Sequence, residues 1–160
     1  MLVSREYPVT PAELLDVLTD PAFLEARGKK FGGNAPSTVQ HNGDEIVVVT
    51  PRQLPLDQVP AAFKSFVGSG ELVQTDTWDE SATEPNGSWT TDVGGAPVKV
   101  FGTHSIKATA TGCEYAVETT IKASIPFISG AIESNVGGYL KSLIGKEQQF
   151  AADWIDSRSS

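Results

Sequence analysis

The strongest constraint on the fold lies near the end of the chain. From Pro126 to Asp156, the apolar residues Ile128, Ile132, Val136, Tyr139, Leu143, Phe150 and Trp154 recur at spacings of three, four and seven, which is one apolar stripe of a single long helix. At ~1.5 Å per residue such a helix is about 45 Å long, whereas a compact domain of this size is only about 40 Å across. It must cross the whole molecule, and its stripe needs a cover of the same reach. Gly130 and the pair Gly137-Gly138 interrupt it, each costing about 0.5–1 kcal/mol relative to alanine. Two readings are open: close approach to a sheet or a modest kink, or missing side chains that leave room for a ligand.

The preceding sequence supplies that cover. Glu71 to Trp78, Ser88 to Val93, Pro97 to Ala110 and Cys113 to Ile125 read as strands separated by turns at Pro85-Asn86-Gly87, Gly94-Gly95 and Thr111-Gly112. Successive strands on short turns make an antiparallel meander. In the last two, Val98, Val100, Gly102, His104, Ile106 and Ala108 share one face, as do Cys113, Tyr115, Val117, Thr119, Ile121 and Ala123. Lys99, Lys107, Glu114, Glu118 and Lys122 occupy the other, so one side is wet and one buried. These strands reach about 40 Å at ~3.3 Å per residue, enough to cover the helix from end to end.

Residues 2 to 8 suit a first strand. Thr10, Pro11 and Glu13 then read as N-cap, first-turn proline and early acid of a short helix, and Asp20-Pro21 repeats the start signal for a second, from Ala22 to about Ala26, ending at Gly28. Beyond a flexible stretch from Lys29 to Asn34, Thr38 to His41 and Glu45 to Arg52 flank Asn42-Gly43-Asp44, a strong hairpin signal. Val59, Ala62, Phe63, Phe66 and Val67 trace one apolar face of a further short helix, spanning Asp57 to Val67. The expected fold is α+β, with a curved seven-stranded antiparallel sheet wrapped on the terminal helix. Residues 1–156 are read as one domain and 157–160 as a frayed tail.

Composition narrows the partners. The net charge of −8 and the scattered basic residues would repel a phosphate backbone, so nucleic acid is excluded as a partner. No apolar run approaches the ~18 residues of a membrane span, so no integral membrane association is expected. Met1 to Pro8 shows no secretion leader and Cys113 is the single cysteine, which together predict a cytoplasmic protein without an internal disulfide.

The order of elements resembles the START-like (SRPBCC) helix-grip superfamily over nearly the whole chain. Tyr7-Pro8-Val9 with Pro11, Thr50-Pro51-Arg52 with Leu54-Pro55, Phe66-Val67-Gly68, and Ser124-Ile125-Pro126 leading into Glu147-Gln148-Gln149-Phe150 and Trp154 are similar to an uncharacterised bacterial branch of it, a domain of unknown function. The resemblance implies a cavity between sheet and terminal helix that takes lipids, sterols or polyketides. No catalytic motif comes with that branch, and fold alone does not fix activity.

Within that frame His104 is the most informative polar residue, since alternation turns it inward beside Val100 and Ile106; it is either a ligand-orienting or acid–base histidine, or a core histidine bonded to the backbone. A Thr111-Gly112 turn would pair His104 with Thr119 and leave Cys113 about 20 Å away, too far for a Cys–His pair. No residue group has metal-ligand spacing, and no cofactor is implied. The acidic cluster Asp76, Asp79, Glu80 and Glu84 reads as solvated, Gly68-Ser69-Gly70 as a helix end and Asn86-Gly87-Ser88 as a turn. The loop from Gly28 to Asn34 with Phe31, and the helix from Asp57 to Val67, are either gates of the cavity mouth or ordinary covers of the sheet edge.

The expected function is binding or transport of a hydrophobic small molecule. The expected site joins Trp89, Val100, His104, Ile106, Tyr115 and Val117 of the sheet to Ile132, Val136, Tyr139 and Leu143 of the helix. The alternatives are a cyclase-like or hydrolase-like enzyme with His104 as proton shuttle supported by Tyr115, and a co-chaperone-like interaction domain.

Overall fold

The structure, a computed structural model, describes residues 1–33, 35–94 and 96–159. Asn34 and Gly95, read above as loop and turn residues, and Ser160 at the tail lie outside them. Strand β1 (Leu2–Tyr7) is followed by α1 (Pro11–Leu18) and α2 (Pro21–Phe31), then by β2 (Thr38–Asn42) and β3 (Glu45–Gln53). After an interrupted helical segment, β4 (Glu71–Asp79), β5 (Asn86–Asp92), β6 (Val98–Thr109) and β7 (Gly112–Ala123) lead to α4 (Ser129–Ser159). The seven strands form one antiparallel sheet in the order β1-β7-β6-β5-β4-β3-β2. Since β1 and β2 lie on opposite edges, α1 and α2 carry the chain from one edge to the other, and α4 covers the concave face.

Local chemistry fixes the element ends. The Thr10 hydroxyl accepts from Glu13 N at 3.2 Å while the Glu13 carboxylate accepts from Thr10 N at 3.4 Å, a reciprocal cap that satisfies two otherwise orphaned donors. Asp20 caps α2 through Ala22 N at 3.0 Å. The Gly43-Asp44 turn closes the β2–β3 hairpin by pairing Asn42 with Glu45.

Several expectations are corrected. Helix α2 passes through Gly28 to Phe31 and is capped by Gly32 at φ 85°. Phe31 thereby reaches the Phe150 ring, with centroids 5.9 Å apart, a packing gain that outweighs the ~1 kcal/mol cost of an internal glycine. Phe31 is thus a helix residue and not part of a gating loop. The continuous helix from Asp57 to Val67 is instead two 3₁₀ turns, Leu56–Gln58 and Ala61–Phe63, and a four-residue α3 (Lys64–Val67), because Pro60 lacks the N–H that would continue the first turn.

The β6–β7 turn is Ala110-Thr111, with Thr109 paired to Gly112 and His104 to Val117, two residues out of the expected register. Gly112 is needed within β7, where a side chain would strike the Tyr7 carbonyl and the Cα of Pro8. Asn86 and Gly87 similarly belong to β5 and not to a turn.

Helix α4 starts at Ser129, whose hydroxyl donates to the Ile125 carbonyl at 2.6 Å, and it continues to Ser159. Arg158 in its last turn meets Asp20 at 3.3 Å, so residues 157–159 are helical.

Packing is uneven along α4. Toward its C-terminal end Ala151 and Ile155 join Tyr7, Leu14, Phe23, Trp78 and Ile106 in the main core. Toward its N-terminal end Val136, Leu140 and Ile144 meet only a small cluster of Trp89, Val100 and Val117. No helix among the described residues is long and apolar enough to cross a membrane.

Candidate functional site

A cavity of about 310 Å³ lies between the concave sheet face and α4, bordered by the helix from Ile132 to Ala151. Of the residues expected there, the sheet supplies Trp89, Val100, His104, Tyr115 and Val117, and α4 supplies Ile132, Val136, Tyr139 and Leu143. Ile106 is not on the wall; it is fully buried in the main core, one alternation step beyond His104. The interrupted helical segment adds Val59, Phe63, Phe66 and Val67 to the lining, with Gln58 beside them. The α4 glycines are unlike one another: a side chain at Gly137 would make ordinary contact with Ile121 at 3.6 Å, whereas nothing lies within 4 Å of Gly130 or Gly138.

His104 is positioned by the row that pairs Ile46, Trp78, Gly87, His104 and Val117 across five strands. Gly87 carries no side chain, so the Trp78 and His104 rings on either side close over it and stack with centroids 3.6 Å apart and planes 4° from parallel. His104 Nε2 lies 3.0 Å from the Thr77 carbonyl. A carbonyl only accepts, so Nε2 carries the proton. Nδ1 sits 3.9 Å from Asp76 Oδ1, beyond hydrogen-bond range. Burial lowers the His104 pKa from 6.5, and neither the Asp76 carboxylate nor the Thr77 hydrogen bond restores it. The ring is therefore a neutral, stacked, backbone-anchored imidazole at neutral pH.

Asp76 departs from its expected place in a solvated cluster. Asp79, Glu80 and Glu84 are exposed, but Asp76, an even number of residues from Trp78, turns to the concave face and lines the cavity. Both its oxygens accept from Gln74 Nε2, at 3.1 and 2.9 Å.

Sequence reasoning missed the charged group beside it. Glu147 of α4 receives Arg52 Nη2 at 2.8 Å and Arg27 Nε at 3.6 Å on the same oxygen, Oε1. Arg27 also donates to Thr50 Oγ1 at 3.3 Å. Burial alone would raise the Glu147 pKa, but the guanidinium groups of Arg52 and then Arg27 outweigh it and hold the carboxyl below its usual range. Arg27 is itself pushed down, by burial first, while Arg52 is held up by Glu147 against its own burial. Tyr115 is pushed well above the ordinary phenol range, chiefly by burial and next by Asp76. A signal for Glu147 existed: it lies four residues after Leu143 on the apolar stripe, where a carboxylate needs a buried partner.

The uncharacterized protein Rv0481c of Mycobacterium tuberculosis is 28% identical over 153 residues, covering 90% of this chain and 81% of the relative. Among solved structures, TTHA0849 of Thermus thermophilus superposes with a TM-score of 0.65 at 13% identity, covering 100% of this chain and 99% of the other. The Zhui aromatase/cyclase of Streptomyces sp. R1128 superposes with a TM-score of 0.63 at 8% identity, covering 100% and 94%. These two likenesses show the fold alone: an antiparallel sheet closed on a long terminal helix, the helix-grip arrangement. The family model for "Protein of unknown function (DUF2505)" matches residues 3–155, and the chain belongs to that family.

Proposed function

We propose that this protein binds a hydrophobic small molecule, of lipid, sterol or polyketide-like character, in the cavity between the sheet and α4. The observation that carries this reading is the cavity itself, about 310 Å³ of space lined mainly by apolar side chains and running beside α4 from Ile132 to Ala151. That volume lies at the lower end of the usual range for ligand pockets. The ligand contacts are assigned to the nine wall residues named above. The similarity to an aromatase/cyclase and the superfamily resemblance support an apolar guest.

Binding is preferred to turnover because His104 has its protonated nitrogen committed to the Thr77 carbonyl and its face covered by Trp78, an arrangement that suits a fixed wall better than a proton shuttle. The single free thiol, Cys113, is in keeping with the reducing cytoplasm read from the sequence.

Native mass spectrometry of freshly purified protein should reveal a co-purifying small molecule, and Val136→Trp, which places a large ring in the cavity, should expel it. A protein that carries nothing, and that binds no apolar compound with an affinity sensitive to Val136→Trp, would remove the reading.

A further inference from the structure

Four charged side chains reach the cavity wall from four separate elements: Arg27 of α2, Arg52 of β3, Asp76 of β4 and Glu147 of α4. Withdrawing such groups from water carries a penalty of several kcal/mol per ion, and apolar replacements of buried ion pairs are often neutral or stabilising. The fold by itself therefore gives no reason to keep them.

A count of hydrogen bonds shows where they are incomplete. Asp76 is satisfied by Gln74 on both oxygens. Arg52 has five N–H donors, yet among the described residues its hydrogen bonding is limited to Nη2 with Glu147 Oε1; Nε is occluded by its surroundings, whereas the N–H groups of Nη1 are unbonded without being occluded. Glu147 takes both arginines on Oε1, and no hydrogen bond among the described residues reaches Oε2. An unfilled donor and an unfilled acceptor thus flank the same ion pair. Two guanidinium groups and two carboxylates also balance in charge, which leaves no counterion for a charged guest.

We propose that this quartet is the head-group site of the cavity and selects an uncharged hydroxyl, which accepts from an Arg52 N–H and donates to Glu147 Oε2. The proposal rests on the reading that the cavity holds an apolar guest, and it specifies that guest. The cavity, at about 310 Å³, lies at the lower end of the usual range for ligand pockets, so the ligand is a compact alcohol or phenol with a ring-sized apolar body.

The test uses three probes with one body and different heads, naphthalene, 2-naphthol and 2-naphthoate, measured by equilibrium dialysis at neutral pH. A hydrogen bond to a charged group contributes about 1.5–3 kcal/mol, so 2-naphthol should bind roughly tenfold or more tightly than naphthalene, with 2-naphthoate no better than naphthalene. Glu147→Gln leaves the quartet with one excess positive charge and should reverse the order of the two polar probes. If that variant does not fold, the wild-type ranking alone decides. Equal binding of naphthalene and 2-naphthol, tightest binding of 2-naphthoate to the wild type, or an unreversed order in a folded Glu147→Gln protein would overturn the head-group site while leaving the apolar cavity standing. Failure of all three probes to bind would overturn the head-group site, and the apolar cavity would then stand or fall by the co-purification experiment and its Val136→Trp control.

Discussion

Substituting Gly87 by alanine tests the packing logic of the sheet at one atom. The added Cβ would fall on the Thr77 carbonyl oxygen and approach His104 Nε2 to 3.0 Å, so it intrudes on the hydrogen bond that fixes His104 and on the space beneath its stack with Trp78. Forcing a methyl group into a packed site costs about 1–3 kcal/mol, and a buried acceptor left without its donor adds about 1–3 kcal/mol. A loss of about 3 kcal/mol is therefore expected. For a chain of this size, each kcal/mol lowers Tm by about 2–4 °C, so Tm should drop by roughly 6–12 °C. Thermal unfolding followed by far-UV circular dichroism gives Tm, and the near-UV signal reports the Trp78 environment. A Gly87→Ala protein that melts within about 1 °C of wild type, with an unchanged near-UV spectrum, would show that the strands shift to admit a side chain and would refute the argument.

Acid should destabilise the fold in two stages. Because the His104 pKa is lowered by burial, the unfolded chain gains a proton that the native state refuses as pH falls below ~6.5, and His104→Gln should flatten this part of a denaturant-derived stability profile. The Glu147 pKa is also lowered in the native state, so its contribution is present above the ordinary carboxylate pKa and is lost as pH falls through the native value; a profile rising toward acid would contradict both assignments. Cys113 has no exposed surface and burial pushes its thiol up to about 11, so native protein should resist a thiol-reactive dye and react only at the rate of unfolding. Fast labelling at neutral pH without denaturant would be inconsistent with its placement.

Periodicity makes the long elements legible. The apolar stripe of α4 and the alternation of β6 and β7 are repeated many times, so errors at the ends leave the pattern intact, and the same alternation turns His104 and Tyr115 inward. Turn chemistry is less informative where glycine serves packing. Gly87 and Gly112 read as turn residues, but they lie in strands because neighbouring groups occupy the space of a side chain. The polar half of the site is hidden for a different reason. Arg27, Arg52 and Glu147 look like ordinary surface charges one at a time, and only the fold brings residues separated by up to 120 positions onto one carboxylate oxygen.

The placement of β1 has a consequence for how the protein comes into being. Leu2 pairs with Glu118, and Tyr7 with Cys113, so the first strand synthesised has no neighbour until the last strand leaves the ribosome. Its other companion, α4, follows later still, with Gln148 Nε2 donating to the Val3 carbonyl and Tyr7 donating to the Gln148 carbonyl. Such distant pairings slow folding, because a long loop must close before any contact rewards it. During elongation the nascent chain therefore carries an unpaired strand edge and an uncovered apolar sheet face, a period in which chaperones have reason to attend it.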